Sequence, residues 1–530
     1  MFSMLTPPPP RADRDYLFLK QTTSTCPECL ALVQARVLVK DGKVFFKKFC
    51  PTHGESMALV DEDADYYLDA YRYARPGTLP HEFSTEVAQG CPSDCGLCPD
   101  HEQHTCVPII EITDYCNLQC PVCIVDNQYS SHMSAAEFSG IIDRLIASEG
   151  TLDAVTISGG EPTVHPHIVE FLQLAKRPQV SRVTLVTNGI RIGRDRAFAQ
   201  VLKDLDVYVI LQLDGFSAEA HTKVRGRDLS EEKEAALDML RALQIPTQIT
   251  FVAARKVNEH EIGQAVRLLL KEDFILSLNF QPVALTGQGG AAFQQDPLDR
   301  ITISSVIRAI AAQCPELVRS DFFPLPCSHP HCVSLTYLLK LDDGTFVPFS
   351  RFTDLKKHLE LFRATATIGA SDEFDDHLRD VINQLWSATG EIPDSQKISK
   401  ALKRALKELY PEKGEMSVAE RHRIAERQAK TIFIHHYMDR HNFDLERLRK
   451  CCHHYPLPDG RIMPACAYNL FYRGAAHPTQ PEAGRLGPKL ATNAGPRPLS
   501  KAQEERAGMA RPLNERFPGV VRSDSLLVLS

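Results

Sequence analysis

Strand and helix alternate six times between about residues 108 and 285, which predicts an α/β fold with a parallel sheet and helices outside it. Cysteine clusters stand before and after that stretch, so metal-binding segments are expected to flank it. At 530 residues the chain exceeds one ordinary domain. The expected division is an N-terminal metal-binding region at 1–107, the alternating domain at 108–300, a C-terminal metal-binding domain at 301–473 and a flexible tail at 474–530. In the tail, Pro, Gly, Ala and charge replace apolar periodicity.

Apolar strands fall near 109–112, 154–158, 182–187, 207–213, 247–253 and 275–281. The first intervening helix is the clearest. Phe138, Ile141, Ile142, Leu145 and Ile146 follow helical spacing, Ser134 and Glu137 form a capping-box pattern, and Gly150 stops it. Residues 415–448 also read as helical, with the Arg, Glu and His content of a solvated or interdomain helix. In barrels of parallel strands the site lies at the C-terminal strand ends. Asn188 and Asp214, each followed by glycine at such an end, are therefore candidate cofactor or substrate contacts, with plain turn chemistry as the competing reading. His221 and Arg225 read as members of a loop salt bridge.

Hydrophobic residues make up 43% and charged residues 24%, ordinary for a globular protein. A net charge of -7 argues against a nucleic-acid partner. No apolar run approaches a bilayer span, and the Met-Phe-Ser-Met-Leu-Thr start followed by prolines lacks a signal-peptide core. The 16 cysteines therefore read as metal ligands in a reducing, cytoplasmic compartment rather than as disulfides, with peripheral membrane contact still compatible.

Cys26-x2-Cys29 and Cys50-x2-His53 bracket a hairpin over Leu38–Phe46 and predict one tetrahedral mononuclear site for zinc or rubredoxin-like iron. His53 is the softest member, its alternative being a solvent-facing side chain before Gly54. Cys91, Cys95 and Cys98 followed by Cys106 predict a closed four-thiolate 4Fe–4S cluster, with a zinc knuckle as the alternative. Cys327 and Cys332 with Cys451 and Cys466 can close another cluster, and the Pro-Asp-Gly turn between the last two suggests a hairpin that unites them. In an extended segment only one of Cys451 and Cys452 faces inward, and Cys451 is taken as that ligand. The bland alternative is buried, unligated cysteines, the reading adopted for Cys314. His329 and His331 read as turn residues.

Cys116, Cys120 and Cys123 follow the first apolar strand as C-x3-C-x2-C. Three thiolates hold three corners of a four-iron cluster and leave the fourth iron open. Zinc would require a fourth ligand, and no Cys or His lies at short range after Cys123. Ser158-Gly159-Gly160-Glu161-Pro162 ends the second strand. Together these motifs resemble the radical S-adenosylmethionine (SAM) superfamily. The resemblance implies a partial (β/α)6 radical SAM barrel, open on one side, flanked by the N-terminal metal-binding region and a C-terminal iron–sulfur domain. It also implies that the open iron chelates SAM, that Gly159, Gly160, Glu161 and Pro162 meet its methionyl amino group, and that one electron yields a 5'-deoxyadenosyl radical. That electron comes from an external donor such as flavodoxin or ferredoxin. Val122 departs from the aromatic residue often found before the last cysteine.

Cys-Pro-Thr-His-Gly at 50–54, the cysteine-rich run at 90–106, Asn-Phe-Asp-Leu-Glu-Arg at 442–447 and Pro-Asp-Gly-Arg at 458–461 carry a closer resemblance. They are similar to archaeal tetraether lipid synthases and their bacterial relatives, a subfamily also described as pterin-methylating. The resemblance implies functionalisation of an unactivated C–H bond, as in C–C coupling of lipid alkyl chains. Radical methylation of a pterin or other small molecule is the first alternative, and a non-catalytic iron–sulfur or zinc electron-transfer protein the second. The implied cofactors are SAM and its 4Fe–4S cluster, one or two auxiliary 4Fe–4S clusters, and one mononuclear iron or zinc. No Asp-x-His-x2-Gly cobalamin signature is present.

Overall fold

The structure, a computed structural model, describes residues 14–125, 131–362, 381–382, 385, 392–411, 416 and 418–473. The tail expected from 474 lies outside the described residues. The chain begins as a four-stranded antiparallel sheet in sequential order, β1 (Leu17–Thr25), β2 (Leu32–Lys40), β3 (Lys43–Cys50) and β4 (Gly54–Asp61). Alternation along β2 and β3 buries Ala35, Val37, Val44 and Phe46 on one face, where Tyr67 covers them. The β2–β3 turn is Asp41-Gly42, with φ of 50° and 72°, the left-handed pair that a two-residue hairpin requires.

Six parallel strands follow in spatial order β5 (Val107–Glu111), β6 (Val155–Ser158), β7 (Val183–Thr187), β8 (Tyr208–Gln212), β9 (Thr247–Ala253) and β10 (Ile275–Pro282). Each lies within two residues of its expected position. Ile110, Ile157, Leu185, Val209, Phe251 and Phe280 are fully buried from these strands, each contributing about 1.5–3 kcal/mol of apolar burial. The helix Ala135–Glu149 begins with the expected capping box at Ser134 and ends at Gly150, whose φ is 74°.

The sheet continues beyond six strands. β11 (Phe323–Pro324), β12 (Val333–Lys340) and β13 (Phe346–Pro348) precede β14 (Ala429–His435), which runs parallel to β10 and antiparallel to β12. At the other edge, β15 (His453–Pro456) pairs parallel to β5 and antiparallel to β16 (Ile462–Pro464). β14 corrects the helical expectation for 415–448: only Val418–Gln428 is helical before it. Thr431-Ile432-Phe433-Ile434 is a β-branched and aromatic run, and the sheet hydrogen-bonds it on both sides. The two added strands approach each other across the open side of the barrel. His435 at the end of β14 stacks on His453 at the start of β15, with ring centroids 4.3 Å apart.

Candidate active site

The loop bearing Cys116, Cys120 and Cys123 leaves the C-terminal end of β5, and the Gly-Gly-Glu-Pro strap leaves the end of β6 beside it. The strap lies directly on the loop. Gly160 N donates to Thr113 O at 2.8 Å and Glu161 N to Tyr115 O at 2.9 Å. At Gly159, whose φ is 139°, a Cβ would stand 2.2 Å from Thr113 O; at Gly160 it would stand 2.3 Å from Tyr115 O. The glycines are required here by backbone packed on backbone.

Glu161 is buried at the junction of β6 and β7. Its carboxylate accepts from Thr163 N, Thr163 Oγ1 (2.6 Å), Thr187 Oγ1 (2.7 Å) and Asn188 N (2.7 Å). Burial raises its pKa, and these donors oppose the rise. Pro162 opens a short 3-10 turn for which Glu161 is the N-cap. Asn188 donates through Nδ2 to Asn117 Oδ1 at 2.7 Å, tying β7 to the cysteine loop. Buried Lys233 donates to Asn188 O at 2.6 Å.

Asp214 is fully buried and held by Arg225, with Nε to Oδ2 at 2.5 Å and Nη2 to Oδ1 at 2.8 Å. Val252 N also donates to its Oδ1, at 2.8 Å. Both Asp214 oxygens accept from protein donors, and of the pair it is Arg225 that lines the cavity. Arg225 thus takes the salt bridge expected of its loop, with Asp214 as partner.

A cavity of about 220 Å³ occupies the barrel beside this loop, bounded by Cys123, Gly159, Glu161 and Arg225 on one side and by Gln212, Gln248, Asn279, Gln281, Tyr437 and Tyr455 on others. Asn279 Oδ1 is buried with no hydrogen-bond partner among the described residues. A second cavity of about 230 Å³ reaches toward the strand N-termini and carries an apolar wall that includes Leu325, Val333, Leu339, Leu402 and Leu409. The two share Val107, Thr156, Ile210, Gln248, Asn279, His435 and His453.

Among the described residues the structure brings two ligand sets to within a single ion's span, and the Cys116, Cys120 and Cys123 triad is not one of them. Cys26, Cys29, Cys50 and His53 offer atoms all within 4.8 Å of one another. His53 Nδ1 stands 3.6 Å from both Cys26 Sγ and Cys50 Sγ, and Cys29 Sγ lies 4.0 Å from Cys50 Sγ. A tetrahedral ion with bonds of about 2.3 Å would space its ligands about 3.7 Å apart, so the set fits one ion. Leu30 and Gly54, each following a ligand pair, have φ of 59° and 78° and turn the chain tightly behind it.

Cys106, Cys327 and Cys452 form the second set, within 4.8 Å of one another. This corrects the grouping of Cys106 with Cys91, Cys95 and Cys98, and the choice of Cys451 over Cys452 beside Cys327. Strand pairing is the cause. Cys106 precedes β5 and Cys452 precedes β15, and Cys106 N and Val107 N both donate to Cys452 O at 3.0 Å. Strand alternation then turns Cys451 the other way. Hydrogen bonding from Cys106 and then Cys452 lowers the Cys327 pKa, while the same contact drives Cys106 up. Cys91 and Cys95 pack in one cluster of side chains with Cys466, and Cys98 and Cys451 lie within electrostatic reach of Cys95. The β15–β16 hairpin carries the expected turn, with Leu457 N donating to Arg461 O at 2.8 Å. Cys332 accepts from Arg447 Nε at 3.3 Å. Cys314 is buried at a helix end and hydrogen-bonds Gly263 O. His329 and His331 are buried, the latter stacked on Tyr67 at 3.6 Å.

Comparison with known proteins agrees with this geometry. Residues 110–269 match the radical SAM superfamily model, and residues 18–62 match an "HMPTM N-terminal zinc ribbon domain". The chain is 31% identical over 486 residues, 86% of this chain and 94% of the relative, to a 7,8-dihydro-6-hydroxymethylpterin dimethyltransferase of Methanocaldococcus jannaschii. The chain belongs to the radical SAM superfamily. A GTP 3',8-cyclase of Alkaliphilus oremlandii is 29% identical over 188 residues, covering 34% of this chain and 58% of that one. Among solved structures, Streptococcus suis SuiB bound to its precursor peptide SuiA aligns with a TM-score of 0.35 and 16% identity, over 41% of this chain and 47% of that one.

As a radical SAM enzyme, the protein uses a 4Fe–4S cluster and SAM, and requires an electron donor and a substrate. Sequence reasoning missed the cavity wall supplied by His435, Tyr437, His453 and Tyr455 of this radical SAM barrel. The β-branched run before His435 was the available signal for a strand there; nothing local marks β15 as a partner of β5.

Proposed function

We propose that this enzyme methylates a pterin-type heterocycle by radical chemistry, with Cys116, Cys120 and Cys123 holding the cluster that binds SAM. When bound, that cluster and SAM would supply a one-electron cleavage to methionine and a 5'-deoxyadenosyl radical, which removes a hydrogen atom from the ring carbon; a second SAM would supply the methyl group and leave as S-adenosylhomocysteine, a second electron from the donor balancing that transfer. The observation that carries the reading is the amide-rich wall of the cavity beside the cysteine loop: Gln212, Gln248, Asn279 and Gln281, with Asn279 Oδ1 unpartnered among the described residues. A flat ring bearing N–H donors would satisfy Asn279 Oδ1, whereas an alkyl chain would leave it unpaired. Similarity to a pterin dimethyltransferase over nearly all of that relative's length supports the same substrate class.

In this reading the strap glycines admit backbone to the cofactor, and Glu161 with Asn188 holds the strand ends in register around it. Val122, Ile124 and Val283 line the cavity with apolar surface that excludes water. Cys26, Cys29, Cys50 and His53 hold one zinc or iron ion. Cys106, Cys327 and Cys452, with Cys332 nearby, hold one auxiliary centre, and Cys91, Cys95 and Cys98, completed by Cys451 or Cys466, hold another. The external electron donor is of the flavodoxin or ferredoxin class. Among the described residues no helix is long and apolar enough to cross a membrane.

The test is anaerobic incubation of reduced, reconstituted enzyme with SAM and 7,8-dihydro-6-hydroxymethylpterin. A methylated pterin should appear, and Cys120→Ala should abolish it. SAM cleavage that neither consumes nor is stimulated by the pterin would refute the reading. The apolar second cavity favours one other substrate, a lipid alkyl chain destined for C–C coupling. Extracted lipids from cells with and without the protein would then differ by a coupled product.

A further inference from the structure

We propose that Arg225 and Asp214 act as a matched charge pair that sets the electron affinity of the cysteine-held cluster, Arg225 by its positive charge behind the cysteine loop and Asp214 as its counter-charge. The inference rests on the triad being the cluster site. Arg225 ends the helix Ala218–Arg225, and Gly226, with φ of 86°, then reverses the chain. Gly226 abuts the cysteine loop, where a Cβ would meet Gln119 O at 3.2 Å. That placement, with Cys123 and Arg225 lining the same cavity, sets the Arg225 guanidinium within electrostatic reach of Cys120 and Cys123. The same guanidinium is gripped at two points by Asp214, so its orientation is fixed before any cofactor arrives.

A buried ion pair is weak evidence for stability, because desolvation offsets the attraction. Its position offers a better reason for it. Reduction adds one electron, and hence one negative charge, to a cluster in a low-dielectric site; no bond forms or breaks. A cation close to the ligand sulfurs favours the reduced state, and an anion beside that cation opposes it. Hydrogen bonds to cluster sulfurs and local net charge are the protein's ordinary means of setting such potentials. The other charged groups acting here are Lys233 and Glu161, and Arg473, which reaches Cys123 and is itself paired with Glu111. With Asp214 and Arg225 they form three cations and three anions, a balance that removal of either partner would tip.

The measurement is an EPR-monitored redox titration of anaerobically reconstituted full-length enzyme, with one electron per cluster supplied by a chemical reductant. The relevant signal is the one that SAM perturbs, which separates it from auxiliary centres. Arg225→Gln should shift its midpoint to more negative potential, Asp214→Asn should shift it to more positive potential, and Arg225→Lys should restore part of the first loss. Shifts in the same direction for Arg225→Gln and Asp214→Asn, or no shift with iron content retained, would overturn the proposal. If Arg225→Gln fails to assemble the cluster, Asp214→Asn decides alone, and absence of a positive shift overturns it. A wild-type spectrum that SAM leaves unchanged would overturn the triad assignment and the tuning role together, while unaltered pterin in an otherwise shifted series would count only against the substrate.

Discussion

Gly160→Ala is the most incisive perturbation of the cysteine loop. A Cβ at Gly160 would lie 2.3 Å from Tyr115 O, 2.6 Å from Tyr115 C and 2.8 Å from Asp114 O, all of them backbone atoms. Because Cβ atoms essentially never approach closer than 3.0 Å, strap and loop must separate by at least about 0.7 Å. That movement strains the Gly160 N–Thr113 O and Glu161 N–Tyr115 O hydrogen bonds, each worth about 1 kcal/mol net. Overpacking adds about 1–3 kcal/mol. The local cost is then on the order of 3–5 kcal/mol, below the ~5–15 kcal/mol that holds a domain together, so the chain stays folded. Misplacement of reacting groups by about 1 Å costs about 100-fold in rate. The assay is anaerobic 5'-deoxyadenosine formation under dithionite, read alongside iron content and circular dichroism. Gly140→Ala is the control: nothing lies within 4 Å of its Cβ position in a helix, and the change should stabilise by up to ~1 kcal/mol. A Gly160→Ala enzyme within about threefold of the wild-type rate would refute the claim that backbone contact sets the loop's position.

Ser134→Ala removes the hydroxyl half of a capping box and should cost the helix Ala135–Glu149 about 1 kcal/mol, seen as faster amide exchange in its first turn. Burial lowers the Lys233 pKa from the ordinary 10.5 to about 8. Between those values the unfolded chain binds more protons than the folded one, so this lysine makes stability rise with pH, by at most ~1.4 kcal/mol per unit. Lys233→Met should flatten that rise in melting experiments across the same window; an unchanged slope would show that the amine is not desolvated. Cys452→Ser should remove the metal held with Cys106 and Cys327 while the N-terminal ribbon keeps its ion, as measured by metal analysis, and full retention of auxiliary iron would place the ligand elsewhere.

Local patterns carried much of the architecture. The six strands were legible because each is a short apolar run, three of them leading into Gly159, Asn188-Gly189 or Asp214-Gly215, and the first helix because five apolar residues and a capping box agree. The clustering of Cys26, Cys29, Cys50 and His53 was legible because both pairs and the hairpin between them are local. Failures came where distance in sequence exceeds what spacing encodes. Cys106 lies eight residues after Cys98, which suggested one set, yet its register beside Cys452 is fixed by a strand pair spanning more than 300 residues. β14 was hidden behind an Arg- and Glu-rich helix that ends one residue before it. Asp214 was recognised as a strand-end carboxylate, but no feature of the sequence says whether such a group faces a ligand or an arginine.

The same strand pair links metal binding to the shape of the substrate cavity. β15 borrows only two residue pairs from β5, His453 with Val107 and His454 with Pro108, and proline there offers no N–H to the ladder. So short a contact would hold an edge strand weakly. Cys106 and Cys452 stand immediately before that contact, on its two chains, and Cys327 reaches the same point from a third segment. A metal bound there would favour the paired state over any state in which the edge has opened, by its full difference in affinity between the two. His453 and Tyr455 belong to that edge and form part of the cavity wall. Loss of the auxiliary metal should therefore loosen the wall opposite the cysteine triad before it affects the triad itself, and amide exchange over 453–456 in the Cys452→Ser enzyme is where that order of events would be read.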